Sequence, residues 1–467
     1  MKGKSIILST LFCASLLATV SCGGSGSGKI EIRVGFWPQN TDRSDIAMYM
    51  EWEEAFEADY PQYDIIGDPY VYSPETVQAK AKARTLPTVF QTWFTEPATL
   101  KEKGYIRDCT SQLQALNWLD KMDPEMKQTL TFDNLVYGVP RDGYGLGLLL
   151  NKRILGDVGL LPEINGEYSI FDEDGKPCYP TTFDEIMEWS YTVTEYDNAK
   201  GCLILSANKN GGWQFTNFAW NFGATIEYKN EEGKWVADLD SKPCIDALTW
   251  IQEMKRNDLL LDSNTVYYDD WYSKIGSQVA MAFVGNDVLQ LAKTKGEVDM
   301  DDLAFVPMPT GDGVHHYSLY GGTPFVFPHY ASDEQVEGAL KFLEYCGRSP
   351  ETSTISRKAI IDGNDVAVSK AQPILPTIKP WVNEDYLSMT EEIEEEYVNV
   401  NRKDYDEFFN NIQEYKHAEE PYFAQELYEE LDSCIQKIFT NPDNANPKTI
   451  LETAEANFNN NYMSKVK

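Results

Sequence analysis

Residues 29–94 read KIEIRVGFWPQNTDRSDIAMYMEWEEAFEADYPQYDIIGDPYVYSPETVQAKAKARTLPTVFQTWF, and the fold follows from how apolar residues are spaced along them. In KIEIRVGFW, Ile30, Ile32, Val34 and Phe36 alternate onto one face, the period of a half-buried strand. From about Ser44 to Tyr60 the spacing becomes that of an amphipathic helix carrying Met48, Trp52, Ala55 and Phe56, and Pro61 closes it. YDIIGDPYVY reads as a second strand, Pro74 to Ala83 as a second helix, and LPTVFQTWF as a third strand running into a loop. Strand, helix, strand, helix, strand is the signature of a parallel open sheet covered by helices, an α/β fold. Ligands of such sheets sit beyond the carboxyl ends of the strands. That rule nominates Trp37 and Gln39 after the first strand, and Trp93 with its neighbours Gln91 and Glu96 after the third.

Upstream, Lys2 and Lys4 precede an apolar run from Ser5 to Val20, the pattern of an export signal over residues 1–21. The run is shorter than the roughly 20 apolar residues that span a bilayer. Thr19-Val20-Ser21-Cys22 resembles a lipobox, which implies lipidation of Cys22, and the Gly/Ser tract over 22–29 is a flexible tether. The expected location is therefore extracytoplasmic: a body lipid-anchored to the outer face of the cytoplasmic membrane, or in the periplasm or on the cell surface.

Removal of 21 residues leaves 446, enough for two or three domains. The formal charge of −34 repels phosphate backbones and anionic lipid, so nucleic acid is excluded as a first partner and a neutral ligand fits better. Eleven Trp and 27 Tyr exceed what core filling needs; each joins an apolar face to a polar tip, as sugar binding requires. Cys109, Cys178, Cys202, Cys244, Cys346 and Cys434 match no zinc or CxxC spacing and no disulfide framework, and His315-His316 is the sole histidine pair. No metal and no cofactor is expected.

Further along, GLGLLLNKRIL returns the chain to a strand, and residues 164–180 form an insertion with hairpin-type turns at Asn165-Gly166 and Asp174-Gly175. Thr182 caps the helix FDEIMEWSYTVT, and the helix CIDALTWIQEMKRN places Trp250 at a rim. SQVAMAFVGND and LAFVPMP are strands, and beyond Ser332 the pattern is mostly helical, with TEEIEEEYVNV a solvated acidic face.

Taken in order, these segments resemble the extracellular solute-binding proteins of sugar ABC importers, the maltose-binding-like group. WEEAFEADYP is similar to that family's first helix, ETVQAKAKARTLPTVF to the helix before its Pro-Asp-Val, and NLVYGVPRDGYGLGLLLNKRILGDVGL to its Tyr-Gly-Val-Pro crossover and Asn-Lys motif. PTTFDEI, QVAMAFVGND, LAFVPMPTGDG, LYGGTPFVF, EGALKFLEYC and ILETAEANFNNNY follow in the family's order. Arg84 and Thr88 stand where the family has Gly and Asp, and the insertion after Leu161 is a second departure.

The resemblance implies a two-lobed periplasmic-binding-protein fold (type II) with an interlobe ligand cleft. One lobe spans 30–141 plus about 305–360, the other 142–304 plus about 361–467. Lobes that open and close need hinges, and the Gly-rich GVPRDGYGLG suits that role. By the same resemblance Trp93 and Trp213 are stacking platforms, Tyr144 is a crossover contact, and Asn286 and Asp287 follow a strand at a contact position. Gly321 and Gly322 match a glycine pair that ligand or the other lobe approaches closely. Asp142 and Asn217 can hydrogen-bond hydroxyls, Trp271 beside Tyr267, Tyr268 and Asp270 is a rim aromatic, and Phe218, Trp220 and Phe222 are helix core. The implied protein is a monomer that binds a neutral carbohydrate, catalyses nothing, and docks on ABC permease subunits. A polyamine, iron chelate or phosphodiester in the same fold, or a secreted glycoside hydrolase with paired carboxyls, are the competing readings.

Overall fold

The computed structural model describes residues 28–196 and 198–466. The expected signal over 1–21, Cys22 and most of its tether lie outside the described residues. The principal elements begin with β1 (Ile30–Val34), α1 (Arg43–Asp59), β2 (Tyr63–Gly67), α2 (Pro74–Ala83), β3 (Phe90–Gln91), β4 (Ile106–Arg107) and the long β5 (Val139–Asn151). There follow β6 (Lys200–Leu203), α3 (Asn210–Asn221), α4 (Lys242–Arg256), β7 (Val279–Gly285), β8 (Leu303–Val306) and a second long strand, β9 (Ser318–Pro328). Helices α5 (Asp333–Tyr345), α6 (Thr354–Ser369) and α7 (Glu384–Tyr397), the short β10 (Lys416–Ala418), and helices α8 (Ala424–Thr440) and α9 (Pro447–Asn461) complete the set.

The parallel start read from the sequence is present: β1 pairs in parallel with β2, Ile32 opposite Ile65, and Val34 bridges Val89 in parallel. The third strand is shorter than its apolar run, because Phe90 and Gln91 turn onto β9 and pair with it antiparallel. Most of the larger sheet is antiparallel, with β5 pairing β7, β8 and β9. Arg84 and Thr88, which replace the family's Gly and Asp, each have a local role. Arg84 ends α2 at φ +56, a left-handed conformation for which glycine is the default, and its guanidinium rests 5.0 Å over the Tyr330 ring. Thr88 Oγ1 accepts the Arg33 N–H at 3.0 Å, a bond that ties the third strand to β1.

Packing sorts the elements into two groups. Helix α5 lies on β1, α1 packs on α5 and α6, and α6 packs on α7. Helices α3, α4, α8 and α9 pack on one another, while β7 and β8 flank residues 146–151 of β5. Helix α6 therefore runs unbroken through the boundary expected near 360, on the side of α1, and β8 stays with the second group beyond 305. The insertion is a hairpin whose Asn165 and Gly166 take φ +57 and +89; its Tyr168 ring covers Gly156, where a Cβ would meet the ring at 2.2 Å.

Thr182 Oγ1 accepts the Glu185 N–H and Glu185 accepts the Thr182 N–H, so the helix from Phe183 starts with a reciprocal cap. Trp250, expected at a rim, is buried and donates its indole N–H to the Phe183 carbonyl. The acidic face of α7 is solvated around the buried Ile393. All six cysteines of the described body are free thiols, five of them buried. No helix among the described residues is long and apolar enough to cross a membrane.

The Asn-Lys motif holds two distant parts of the chain together. Asn151 accepts the Ile154 N–H as a helix cap and donates to the Ile275 carbonyl, while Lys152 Nζ reaches Asp404 Oδ2 at 2.8 Å with both side chains buried. Removing one partner of such a pair strands the other charge. Lys152→Met is expected to cost about 3–5 kcal/mol in denaturant unfolding at pH 8. The loss is smaller at pH 5, where the abandoned Asp404 carboxyl takes up a proton.

Candidate functional site

Between the two groups of elements lies a cleft with two adjoining hollows of about 450 and 500 Å³, both lined by Thr95 and Glu419. The first is aromatic. Trp93, 44 % exposed on the loop after β3 and edge-on to Tyr72, lines it from one side. From the other side come Trp213 on α3, with Tyr144 of β5 at 6.2 Å and Tyr268 at 6.0 Å between ring centres. Gln425 of α8 donates to Thr95 Oγ1 at 3.3 Å, a polar contact that bridges the cleft.

The glycine pair has a steric cause. A Cβ on Gly321 would lie 2.6 Å from the Tyr144 ring, and one on Gly322 would lie 2.4 Å from the Asp142 carbonyl. The bare backbone of β9 is what lets Tyr144 lie flat against it. Asp287 also reaches the aromatic hollow. The residue is exposed, lining both this hollow and the far face of the crossover, and the surrounding chain, then the charge of Asp142, raises its carboxyl above the usual carboxylate range.

The structure thus brings together Trp93, Tyr144, Trp213, Asp287 and Gly322 on one hollow, with Gly321 behind Tyr144. The remaining nominated residues are placed elsewhere. Trp37 is half-buried against Tyr49 and Gly67, and Gln39 is exposed in the loop after β1. Asp142 pairs with Arg141 and accepts the Thr323 N–H on the far face of the crossover. Asn286 Oδ1 accepts the Gly145 N–H at 2.7 Å and so braces β5. Asn217 is fully buried, donating to the Tyr317 carbonyl. Trp271 is 0 % exposed in the core, and its neighbour Tyr268 is the aromatic that reaches the cleft. Tyr268 stands in a turn and Trp271 in the five-residue helix Asp270–Lys274 that follows, too short a segment for periodicity to tell the two rings apart.

The second hollow went unread in the sequence. Its walls carry Trp220, Trp235, Phe94 and His417 with the carboxylates Glu125, Glu227, Glu419 and Glu420. Glu419 and Glu420 directly follow β10, three residues long and too short for an alternating pattern; the visible signal was the Glu-Glu pair before Pro421. Tyr428 donates to Glu419 Oε1 at 2.8 Å, and Trp220 donates its indole N–H to Glu420 Oε1 at 2.9 Å. Glu227 heads a short hairpin of Glu227–Lys229 and Trp235–Ala237 and accepts the Tyr422 N–H. Burial pushes the Glu419 and Glu420 carboxyls up to about 7. Burial, then the charge of Glu420, pushes Glu227 up to about 9. Burial also raises Glu96, which accepts the Tyr72 hydroxyl, while His417 is lowered by burial. Outside the cleft, Asp238, Asp240 and Glu455 bring carboxylate oxygens within 4.8 Å of one another, a spacing a cation can bridge.

Residues 42–351 match the family described as bacterial extracellular solute-binding protein. Among solved structures, the chain is similar to the GacH receptor of Streptomyces glaucescens GLA.O, determined unliganded and with acarbose, at TM-score 0.66 and 16 % identity, over 94 % of this chain and 100 % of that one. It is similar to the ABC substrate-binding protein Lmo0181 from Listeria monocytogenes in complex with cycloalternan, at TM-score 0.66 and 15 % identity, over 92 % and 98 %. UgpB from Mycobacterium tuberculosis in complex with glycerophosphocholine aligns at TM-score 0.64 and 14 % identity, over 92 % and 97 %. Among curated proteins, none matches the sequence.

Carboxyls raised in the folded state hold protons that the unfolded chain has released, so unfolding between about pH 5 and 9 releases protons and stability falls as pH rises. For Glu227 the fall runs through pH 9. Calorimetric melting of the ligand-free protein should show Tm declining from pH 7 to 9, and Glu227→Gln should flatten that decline.

Proposed function

Since the chain belongs to the bacterial extracellular solute-binding proteins, we propose that it captures a carbohydrate, an oligosaccharide, between two hinged lobes and delivers it to the transmembrane subunits of an ABC importer. The observation that carries this reading is the aromatic hollow. Trp93 lines it from one side and Trp213, Tyr144 and Tyr268 line it from the other, with Asp287, Lys209 and Asn210 among them. Flat aromatic faces suit the C–H faces of sugar rings, and charged and amide groups suit their hydroxyls. The similar structures support it: their ligands include acarbose, cycloalternan and maltose.

In this reading one lobe comprises about 30–143 with about 321–398, and the other about 145–317 with about 402–466. Strands β5 and β9 and the stretch after α7 cross between them. The protein performs no chemistry, acts as a monomer, and is held outside the cytoplasm by a lipid on Cys22.

Titration calorimetry against neutral oligosaccharides, with product analysis afterwards, tests the proposal. A bound sugar recovered intact supports it; a cleaved sugar replaces it with the hydrolase, and binding of phosphodiesters alone removes the carbohydrate. Because Trp93 is largely exposed, Trp93→Ala is expected to leave Tm unchanged while raising the sugar Kd at least tenfold.

A further inference from the structure

The acidic hollow is built for something other than a ring of hydroxyls. Its ionisable lining consists of Glu125, Glu227, Glu419, Glu420 and His417, with no lysine or arginine among the described residues. Two cations beside it are already committed: Lys416 Nζ lies 2.9 Å from Asp123 Oδ2 and 3.6 Å from Glu125 Oε2, and Lys229 Nζ lies over the Trp235 ring. Glu419, Glu420 and Glu227 have no such partner; their bonds come from a phenol, an indole and backbone N–H groups.

Three buried polar atoms of the lining have no hydrogen bond among the described residues: Glu125 Oε2, which still has Lys416 3.6 Å away, and Glu227 Oε1 and the Tyr320 hydroxyl, each on a residue 6 % exposed. A buried carboxylate oxygen without donor or counter-charge is costly, and the cost is recovered when a ligand supplies both. A hydroxyl offers one donor and no charge; an ammonium offers three donors and a full positive charge. The aromatic wall points the same way. Trp235 already draws the Lys229 ammonium to within 5.5 Å of its ring centre, the attraction of a π face for a cation, while the Trp220 ring lies against His417 at 4.1 Å between ring centres.

We propose that this half of the cleft takes a protonated amine of the bound molecule, so that the saccharide captured by the protein carries free amino groups. The inference rests on the carbohydrate reading above for the word saccharide, but not for the amine. The two hollows divide the work: the Trp93 and Trp213 side holds sugar faces, and the Glu227 side neutralises charge. Raised carboxyls fit this division, since Glu227 keeps its proton until a cation arrives. The acidity of the whole chain draws such a ligand toward the cleft.

Titration calorimetry at pH 7 would compare glucosamine oligosaccharides with their N-acetylated counterparts, alongside maltotetraose and spermidine, on the wild-type protein, Glu227→Gln and Glu419→Gln. The expected result is at least tenfold tighter binding of the amino form, with that preference collapsing in both variants while their Tm is no lower than that of the wild type. If sugars bind with no preference for the amine, or the preference survives in both variants, the proposal is overturned and the carbohydrate reading stands. If spermidine alone binds and both variants weaken it, the amine site stands and the carbohydrate reading falls. If no amine-bearing probe binds, the proposal fails.

Discussion

The antiparallel pairing of β5 with β9 is the constraint on which the rest of this molecule depends. Each strand is long enough to belong to both lobes. At one end β9 pairs with β3 and β4, and at the other end β5 pairs with β7 and β8. Between those ends the two strands pair with each other, Tyr320 opposite Gly145 and Gly321 opposite Tyr144. The glycines here adopt ordinary extended backbone, not the positive φ that only glycine takes easily. Their value is the missing Cβ: side chains from both lobes pack directly on the ribbon, Phe408 and Ile412 over Gly145, and Phe94 over Gly322. A hinge made of two hydrogen-bonded strands bends as one unit, which confines relative lobe motion to a narrow set of directions.

Electrostatics set a second constraint. The cleft concentrates carboxylates from three distant parts of the chain, Asp287, Glu227 and the Glu419-Glu420 pair, in surroundings that disfavour their charge. Two acids outside the cleft behave oppositely: Glu185 at a helix cap and Asp312 beside His315 are held below the usual carboxylate range. Burial raises and bonding lowers, and where burial outweighs bonding the carboxyl stays raised, as it does for Asp404 even with Lys152 as its partner.

Periodicity made the framework legible. The helical spacing after Ser44 gave α1 within a residue of its bounds, the alternation in KIEIRVGFW gave the start of β1 but ran two residues past its end at Val34, and Pro74 and Ala83 are the ends of α2. The rule that ligands gather after strand ends nominated Trp93, which lines the hollow, and Trp37, which does not, its ring packing on Tyr49 and Gly67. Site residues on long elements were harder to sort. On α3, Trp213 and Asn217 lie one turn apart on the same face, and what separates them is depth: Trp213 lines the hollow, while Asn217 is fully buried against the Tyr317 carbonyl. The acidic hollow was invisible for a different reason. Its most buried carboxylates directly follow β10 or head a short hairpin, elements of three residues per strand that are held by pairing with β9 and with a partner strand.

That dependence ties the site back to the hinge. β10 pairs in parallel with Ser318–Tyr320 of β9, and the next two residues are Glu419 and Glu420. Gly321, immediately beyond the same stretch of β9, seats Tyr144. Asn286, at the end of β7, bonds the Gly145 N–H and so fixes the other strand of the ribbon. The aromatic and acidic halves of the cleft are therefore both referenced to a few residues of one strand pair. A ligand that touches Tyr144 and Glu419 together pulls on β5 and on the extension of β9, and what it gains from both contacts is spent against bending a single ribbon. Recognition of the ligand and closure of the lobes are then one mechanical event, with the β5–β9 pairing as its common axis.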